Sequence, residues 1–480
     1  MTDTKWTTLV GRALGASTLA VGLALGGSSA GAGVPGDENP AGPAPTRESR
    51  LQPADVSYLG AFRLPGGEER PETFAYGGNA MTFHPAGDPA GSGDGFLGSL
   101  FITGHERMPA GELPNGSQLA EVTIPVPAIA GNVDSLPTAD LVQGFSDAAE
   151  GLFTGLDEIP RIGLQYLDHP ATGPRLHVAW GQHFQEPDDL SHAMLSTTLT
   201  DPDPRGPWEI TGASRYSING YMFDIPGEWA DAHISGRSLA TGRFRDGGWS
   251  GMGPALFAYR PWDDAGHLAG PGAILDATTL LLYESSEHSE SVARDAMAGY
   301  QHADEWEGGA WVTTPSGKEA VVFAGTKGTG AKFWYGWIHP DGPEVPCVET
   351  AFVGEFPVCW NSDGTPCPES ELGGCTGHSD FRGWWSSRFA AWLVFYDTGD
   401  LAQVAAGSLS PSSPQPYAWL DIDRHLFLTG DQVEPGMLGE GTQRRGRIGA
   451  VAFDRATGRL YVLELFADTA KPVVTVFGAS

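Results

Sequence analysis

The sequence predicts an all-β fold of sheets stacked around an axis, a β-propeller in one domain, and three observations carry that prediction. Gly and Pro, 67 and 37 of the 480 residues, make about a fifth of the chain turn-forming, which suits many short strands joined by tight turns. A single unit recurs along the chain, a polar turn with Pro, Asp or Gly followed by a short run of large apolar residues. Helical patterning is scarce, and its best short candidates are Pro226 to Ala232 and Asp400 to Ala406.

Four copies of the unit stand out. His84-Pro85 leads through a Gly-rich loop to the run Leu100 to Gly104, and Asp168 to Gly173 precedes Leu176 to Gly181. Asp421 to Arg424 precedes His425 to Gly430, and Asp454 to Gly458 precedes Leu460 to Leu463. A fainter copy sets Pro315 to Lys318 before Ala320 to Gly325, and the glycine-rich Gly325 to Gly330 that follows reads as a turn. Each apolar run is nearly continuous, as expected for a strand covered on both faces, and adjoining propeller blades supply that cover. A β-sandwich with repeated turn chemistry is the competing architecture. The last strand, Val473 to Phe477, is placed to pair with the first, Ser57 to Leu64, and so to close the ring.

The ends and the charge set the setting. Lys5 and Arg12 precede an apolar small-residue stretch from Ala13 to Leu25, and small residues follow to Ala32, so residues 1–32 read as a secretory signal. Residues 33–50 read as a flexible leader rich in Pro and Gly, which leaves 51–480 as the propeller. No run approaches the ~20 apolar residues of a membrane span, so an exported monomer without a membrane partner is expected. The formal net charge of −31 disfavours nucleic acid as a partner, because phosphate binding would need a focused basic patch and the sequence has no such run. No complete phosphate-binding loop and no H-E-x-x-H motif is present.

Cys347, Cys359, Cys367 and Cys375 crowd one loop rich in Gly, Pro and acids. Export favours two disulfides, and a tetrahedral zinc clip, completed by His339 or His378, is the alternative. No cofactor is expected for chemistry; a structural zinc or calcium is the metal such a chain would hold.

The stretch from Ser214 to Tyr259 gathers cations and phenols in an otherwise acidic protein. It contains Arg215, Tyr216 and Tyr221, then Arg237, Arg243 and Arg245. Guanidinium grips carboxylate or sulfate in a fork. A phenol beside such cations would have a lowered pKa, and Tyr221 is therefore expected to act as a base toward a carbon acid. His84 and His105 supply an imidazole pair. With Tyr221 and Arg237 they make the set that a uronate lyase needs: a neutraliser for the carboxylate, a base for the C5 proton and an acid for the C4 oxygen.

At these residues the chain resembles a family. The segments YGGNAMTFHP (76–85), SLFITGHE (99–106), INGYMFDIPGEW (218–229), RSLATGRF (237–244), GMGPALFAY (251–259), AVVFAGTKGTG (320–330), FYDTGDLAQVAAG (395–407) and GAVAFDRATGRLYV (449–462) look like those of the seven-bladed propeller polysaccharide lyases that cleave ulvan. The resemblance implies seven blades and elimination on an anionic polysaccharide. It carries over to His84 and His105, 21 positions apart, and to Tyr221 and Arg237, 16 apart. Asn79, Arg243, Arg245 and Trp249 are then substrate-binding candidates, Trp249 by stacking on a sugar face. In that family cysteines and a histidine hold a structural zinc, a pattern from which the four-cysteine loop departs.

The sequence therefore leads to a secreted lyase that cleaves a uronate-containing, ulvan-like glycan by β-elimination. Two other classes stay open: a non-catalytic carbohydrate- or protein-binding propeller, and a glycan hydrolase with an acid pair among Asp224, Asp246, Asp304 and Glu305.

Overall fold

The computed structural model describes residues 49–480 apart from 67–69, 92–94, 106–117, 150, 154–160, 182–188, 212–217, 219, 243–245, 287–294, 331, 334–349, 354–355, 360–384 and 430–443. The stretches expected as a secretory signal and, for the most part, as a leader lie outside the described residues. Arg50, assigned to the leader, is instead anchored by Asp397, and Leu51 is fully buried.

Strand β1 (Val56–Arg63) opens the chain and waits for its partners at the far end. The first blade is β2 (Met81–His84), β3 (Ser99–Thr103), β4 (Gln118–Thr123) and β5 (Leu141–Asp147). The second is β6 (Arg161–His169), β7 (Gly173–Gly181), β8 (His192–Leu195) and β9 (Arg205–Ile210). The third begins with β10 (Met222–Asp224), helix α1 (Gly227–His233), β11 (Leu239–Thr241) and β12 (Leu256–Tyr259). The chain then adds β13 (Ile274–Leu275) in parallel to β9 of the second blade before finishing the third with β14 (Thr278–Leu281).

The fourth blade starts with β15 (Glu305–Thr313) and β16 (Glu319–Gly328). An excursion follows with two small hairpins, β17 (Lys332–Phe333) paired to β20 (Trp385–Ser386), and β18 (Thr350–Val353) paired to β19 (Phe356–Cys359). Strand β21 (Phe389–Tyr396), helix α2 (Thr398–Ala405) and β22 (Ala418–Asp421) complete the blade. The fifth is β23 (Ile448–Asp454), β24 (Arg459–Asp468) and β25 (Lys471–Ala479), with β1 returning as its outermost strand.

Among the described residues the ring thus has five blades, not the expected seven. The innermost strands close the circle: β2 lies against β6, β6 against β10, β10 against β15, β15 against β23, and β23 against β2. No gap is left for another blade. Each of the five seams is filled by its own hydrophobic cluster, from Trp306, Trp311 and Phe323 between blades three and four to Phe62, Leu100 and Leu463 between blades five and one. A ring this small forces the inner backbones together. A Cβ on Gly163 would sit 1.8 Å from the Gly220 carbonyl oxygen, and one on Gly449 2.6 Å from that of Gly78, so only glycine fits at these crossings.

Closure follows the expected pairing, with Ser57 opposite Gly478 and Arg63 opposite Val473 in an antiparallel register. The expected apolar runs fall on β3, β7, β16 and β24, and both short helices form within two residues of their predicted bounds. Two details differ. Gly325 to Gly328, expected to turn, continues β16. Residues 425 to 429, expected as a strand, form none, because the Phe427 and Leu428 N–H groups donate to the buried Glu464 carboxylate at 2.8 and 2.5 Å instead of to a neighbouring strand.

Candidate functional site

The inner strands all run from one end of the ring, the entry end, to the other, the exit end, and this polarity sorts the predicted site residues. His84 ends β2 opposite Ser99, while His105 lies beyond the other end of β3. The six residue steps from Ser99 to His105 span roughly 20 Å at the usual strand rise. The two imidazoles therefore occupy opposite ends of blade one. Tyr221 precedes β10 at the entry end of blade three. Arg237 sits at its exit end, just before β11, whose Leu239 pairs with Asp224 at the end of β10. The structure does not bring the four together.

Three of the four have interior roles. Tyr221 is buried; its hydroxyl donates to the Ala255 carbonyl at 2.5 Å and accepts from the Ala255 N–H at 3.0 Å. Burial pushes its pKa well above the ordinary phenol value, the reverse of the lowering expected of a base, because the charged form loses water and gains no cation. His84 Nδ1 lies 2.7 Å from Glu121 Oε1. The same carboxylate accepts from Ser99 Oγ at 2.5 Å and Gln143 Nε2 at 2.6 Å, and Gln143 also reaches Thr197 O of the second blade. That network ties two blades together. His105 is buried with Nδ1 3.3 Å from the Ala75 carbonyl, and burial lowers its pKa.

Asn79, half-buried before β2, and Trp249, 36 % exposed, both belong to the entry end. Arg243 and Arg245 lie outside the described residues, as do Cys347, Cys367 and Cys375; Cys359 ends β19, and nothing is described of its side chain. Of the acids weighed for hydrolysis, Asp224 accepts from Arg455 Nη2 at 2.7 Å at the exit end. The Asp246 side chain is not described.

Asp304 and Glu305 lead into β15 at the entry end, each already committed. Asp304 is fully buried and accepts from Lys327 Nζ at 2.9 Å, from Gly328 N at 2.9 Å and from Gln301 N at 3.0 Å. Burial nonetheless raises its pKa. Glu305 takes Arg445 Nη2 at 2.9 Å on one oxygen and Arg447 Nη1 at 3.2 Å on the other. Both carboxylates are thus engaged by cations of the protein itself. They neutralise three cations and lock the mouth of the fourth and fifth blades.

The exit-end flank of the seam between blades two and three is different. After β12 the chain runs over the outside of blade two as a strap, held by the β13–β9 pairing and by Trp208 Nε1, which donates to the carbonyls of Ala269 and Gly270 at 3.2 and 3.1 Å. Between strap and blade three is a pocket of about 410 Å³ whose lining includes Arg237, Arg260, Trp262, Asp263, His267 and Asp276. Arg237 Nη1 donates to the Ile234 carbonyl at 3.1 Å, and among the described residues its guanidinium has no carboxylate partner. Arg260 pairs with Asp264, whose side chain is 91 % exposed, and such a surface pair is easily exchanged for a ligand. Trp262 is a rigid wall: His169 stacks on it at 4.1 Å, and His177 meets it edge-on at 6.2 Å. Sequence reasoning found Arg237 but missed Arg260, Trp262 and His267, although Arg260-Pro261-Trp262-Asp263 sets a cation, an indole and an acid in one short turn.

No family model matches the chain, and no curated protein matches it. Among solved structures it is similar to the holo form of the PQQ domain of pyranose dehydrogenase from Coprinopsis cinerea. The identity is 9 % and the TM-score 0.30, over 90 % of this chain and 98 % of that one. A likeness that loose carries no argument about chemistry. What defines the class is the closed ring itself, a β-propeller with an open pocket on its flank that two arginines and two aspartates line.

Proposed function

We propose that this propeller is an exported polysaccharide lyase that cleaves a uronate-containing glycan by β-elimination, with the uronate held in the pocket around Arg237. The supporting observation is the Arg237 guanidinium, which lines an open pocket together with Arg260 and, among the described residues, has no carboxylate of its own. In a protein of net charge −31, a cation left available in a pocket favours an anionic group of a ligand. For a uronate that group is the C6 carboxylate. Its neutralisation lowers the barrier to removing the adjacent C5 proton, the hard step of elimination. The five-bladed ring means that this reading rests on the pocket residues rather than on the resemblance to seven-bladed ulvan lyases. Within the proposal the protein is a monomer, and the four loop cysteines form disulfides or hold a structural metal.

The test is ultraviolet absorbance with time against a panel of uronate polysaccharides, ulvan among them, for the wild type and Arg237→Ala. Elimination creates an unsaturated uronate that absorbs, so a rise in the wild type that the variant lacks supports the reading. Binding without a rise would make the protein a glycan-binding propeller, and new reducing ends without a rise would make it a hydrolase.

A further inference from the structure

Resting on that reading, the geometry points to His267, held by Asp263, as the group that removes the C5 proton, in the place expected for Tyr221. His267 and Arg237 line the same pocket. Although His267 is exposed, its position is fixed by a tight turn. Asp263 Oδ1 accepts from the Ala265 and His267 N–H groups, each at 2.9 Å, and Asp263 N donates to the His267 carbonyl at 3.0 Å. Asp263 Oδ2 lies 3.1 Å from His267 Nδ1. These contacts, the His267 N–H first among them, hold the Asp263 carboxyl below its ordinary pKa. A carboxylate on Nδ1 favours the tautomer with the proton there and leaves the Nε2 lone pair available, which is the state a general base requires. Among the described residues, Nε2 has no hydrogen-bond partner.

The step balances within the pocket. Nε2 takes the C5 proton, the C5–H electron pair becomes the C4=C5 double bond, and the C4–O bond breaks with its pair on the departing oxygen. The imidazolium passes the proton to that oxygen, so His267 returns to neutral and nothing is oxidised or reduced. Arg237 and Arg260 hold the carboxylate while its charge spreads, and Asp264 is displaced from Arg260 as it binds. Asp263 is the charged group on the imidazole; Arg237, Arg260 and Asp276 line the same pocket, and Asp264 pairs with Arg260.

The test uses the full mature chain with a hexuronate polymer that the wild type cleaves. His267→Gln is expected to lose at least ~10²-fold in kcat, with affinity for a uronate trisaccharide within about twofold and an unchanged melting temperature. Asp263→Asn is expected to lose activity less severely, because the amide no longer holds the Nδ1 proton and with it the orientation of the ring. In the wild type, the His267 imidazole nitrogen resonances should shift when the trisaccharide binds. Wild-type turnover by His267→Gln would overturn the assignment while leaving the lyase reading intact. Trisaccharide binding that leaves those resonances unmoved would overturn it independently of turnover. A wild type that neither binds nor cleaves any uronate polymer would remove both readings.

Discussion

The entry end of blades four and five and the exit-end flank of blades two and three both gather arginines and acids, yet they use them in opposite ways. At the entry end every named charge is taken: Lys327 by Asp304, and Arg445 and Arg447 by Glu305. On the flank, among the described residues, Arg237 answers only a backbone carbonyl, and Arg260 leans on an acid that is almost entirely in water. Charges taken out of water must be matched on the spot, so a closed ledger marks scaffold. A cation that stays half in water can remain uncommitted, and the partner it lacks is informative about a ligand. Residue type alone would have scored the two regions alike.

The largest test of that contrast is Lys327→Met, which strands a fully buried Asp304. We expect a loss of about 3–5 kcal/mol in urea unfolding with turnover per folded molecule unchanged; a loss below about 1 kcal/mol would erase the distinction. Arg237→Ala should do the reverse. Its melting temperature should hold, while kcat/KM falls ~10²–10³-fold, or ~2.7–4 kcal/mol in the transition state. Tyr221→Phe should fall on the scaffold side, losing about 1–3 kcal/mol because the Ala255 backbone is left buried and unsatisfied, and keeping its rate on uronate glycan. Loss of turnover in a stable Tyr221→Phe protein would return the phenol to the chemistry.

The finest test lies in the wall behind the pocket, where His177 and His192 are fully buried with pKa values lowered to about 3, chiefly by loss of water. Between about pH 3 and 6.5 the unfolded chain binds their protons and the folded one does not, so their contribution to stability is complete above pH 6.5 and shrinks as pH falls. Glu464 opposes them. Burial raises its pKa to about 7, so the folded state holds a proton that the unfolded state releases above about 4.5, and its contribution shrinks as pH rises through that window. Two groups outweigh one, and each proton is worth ~1.4 kcal/mol per pH unit. Stability should therefore decline on acidification from pH 6.5, with His177→Leu reducing the slope of denaturant midpoint against pH. An unaltered slope in that variant would mean His177 is charged or hydrated inside the fold.

Much of the scaffold was legible. The turn-then-apolar unit marked β3, β7, β16 and β24, because a strand covered on both faces writes a continuous apolar run. The number of blades was not, since the excursions between β16 and β21 and around β13 consume chain without adding an inner strand. The segment after Asp423 matched the same unit and failed as a strand because Glu464, distant in sequence, took its N–H groups. Of the residues that line the flank pocket, Arg237 alone was singled out from the sequence. Spacing along the chain does not reveal which end of a strand a residue occupies, so His84 and His105 looked like neighbours. Nor does it reveal burial, which made Tyr221 a core residue.

The pairing of β1 with β25 has a consequence in time. Ser57 Oγ donates to the carbonyl of Gly478, 421 positions on, so the fifth sheet stays incomplete until those 421 further residues have been made. Such a distant contact is among the slowest to form. An incomplete ring would exist as an open arc with a bare strand edge, prone to pair with other chains. Once the last strand has seated, unfolding must first tear out that clasp, and the same seam that delays maturation then lengthens the lifetime of the finished molecule.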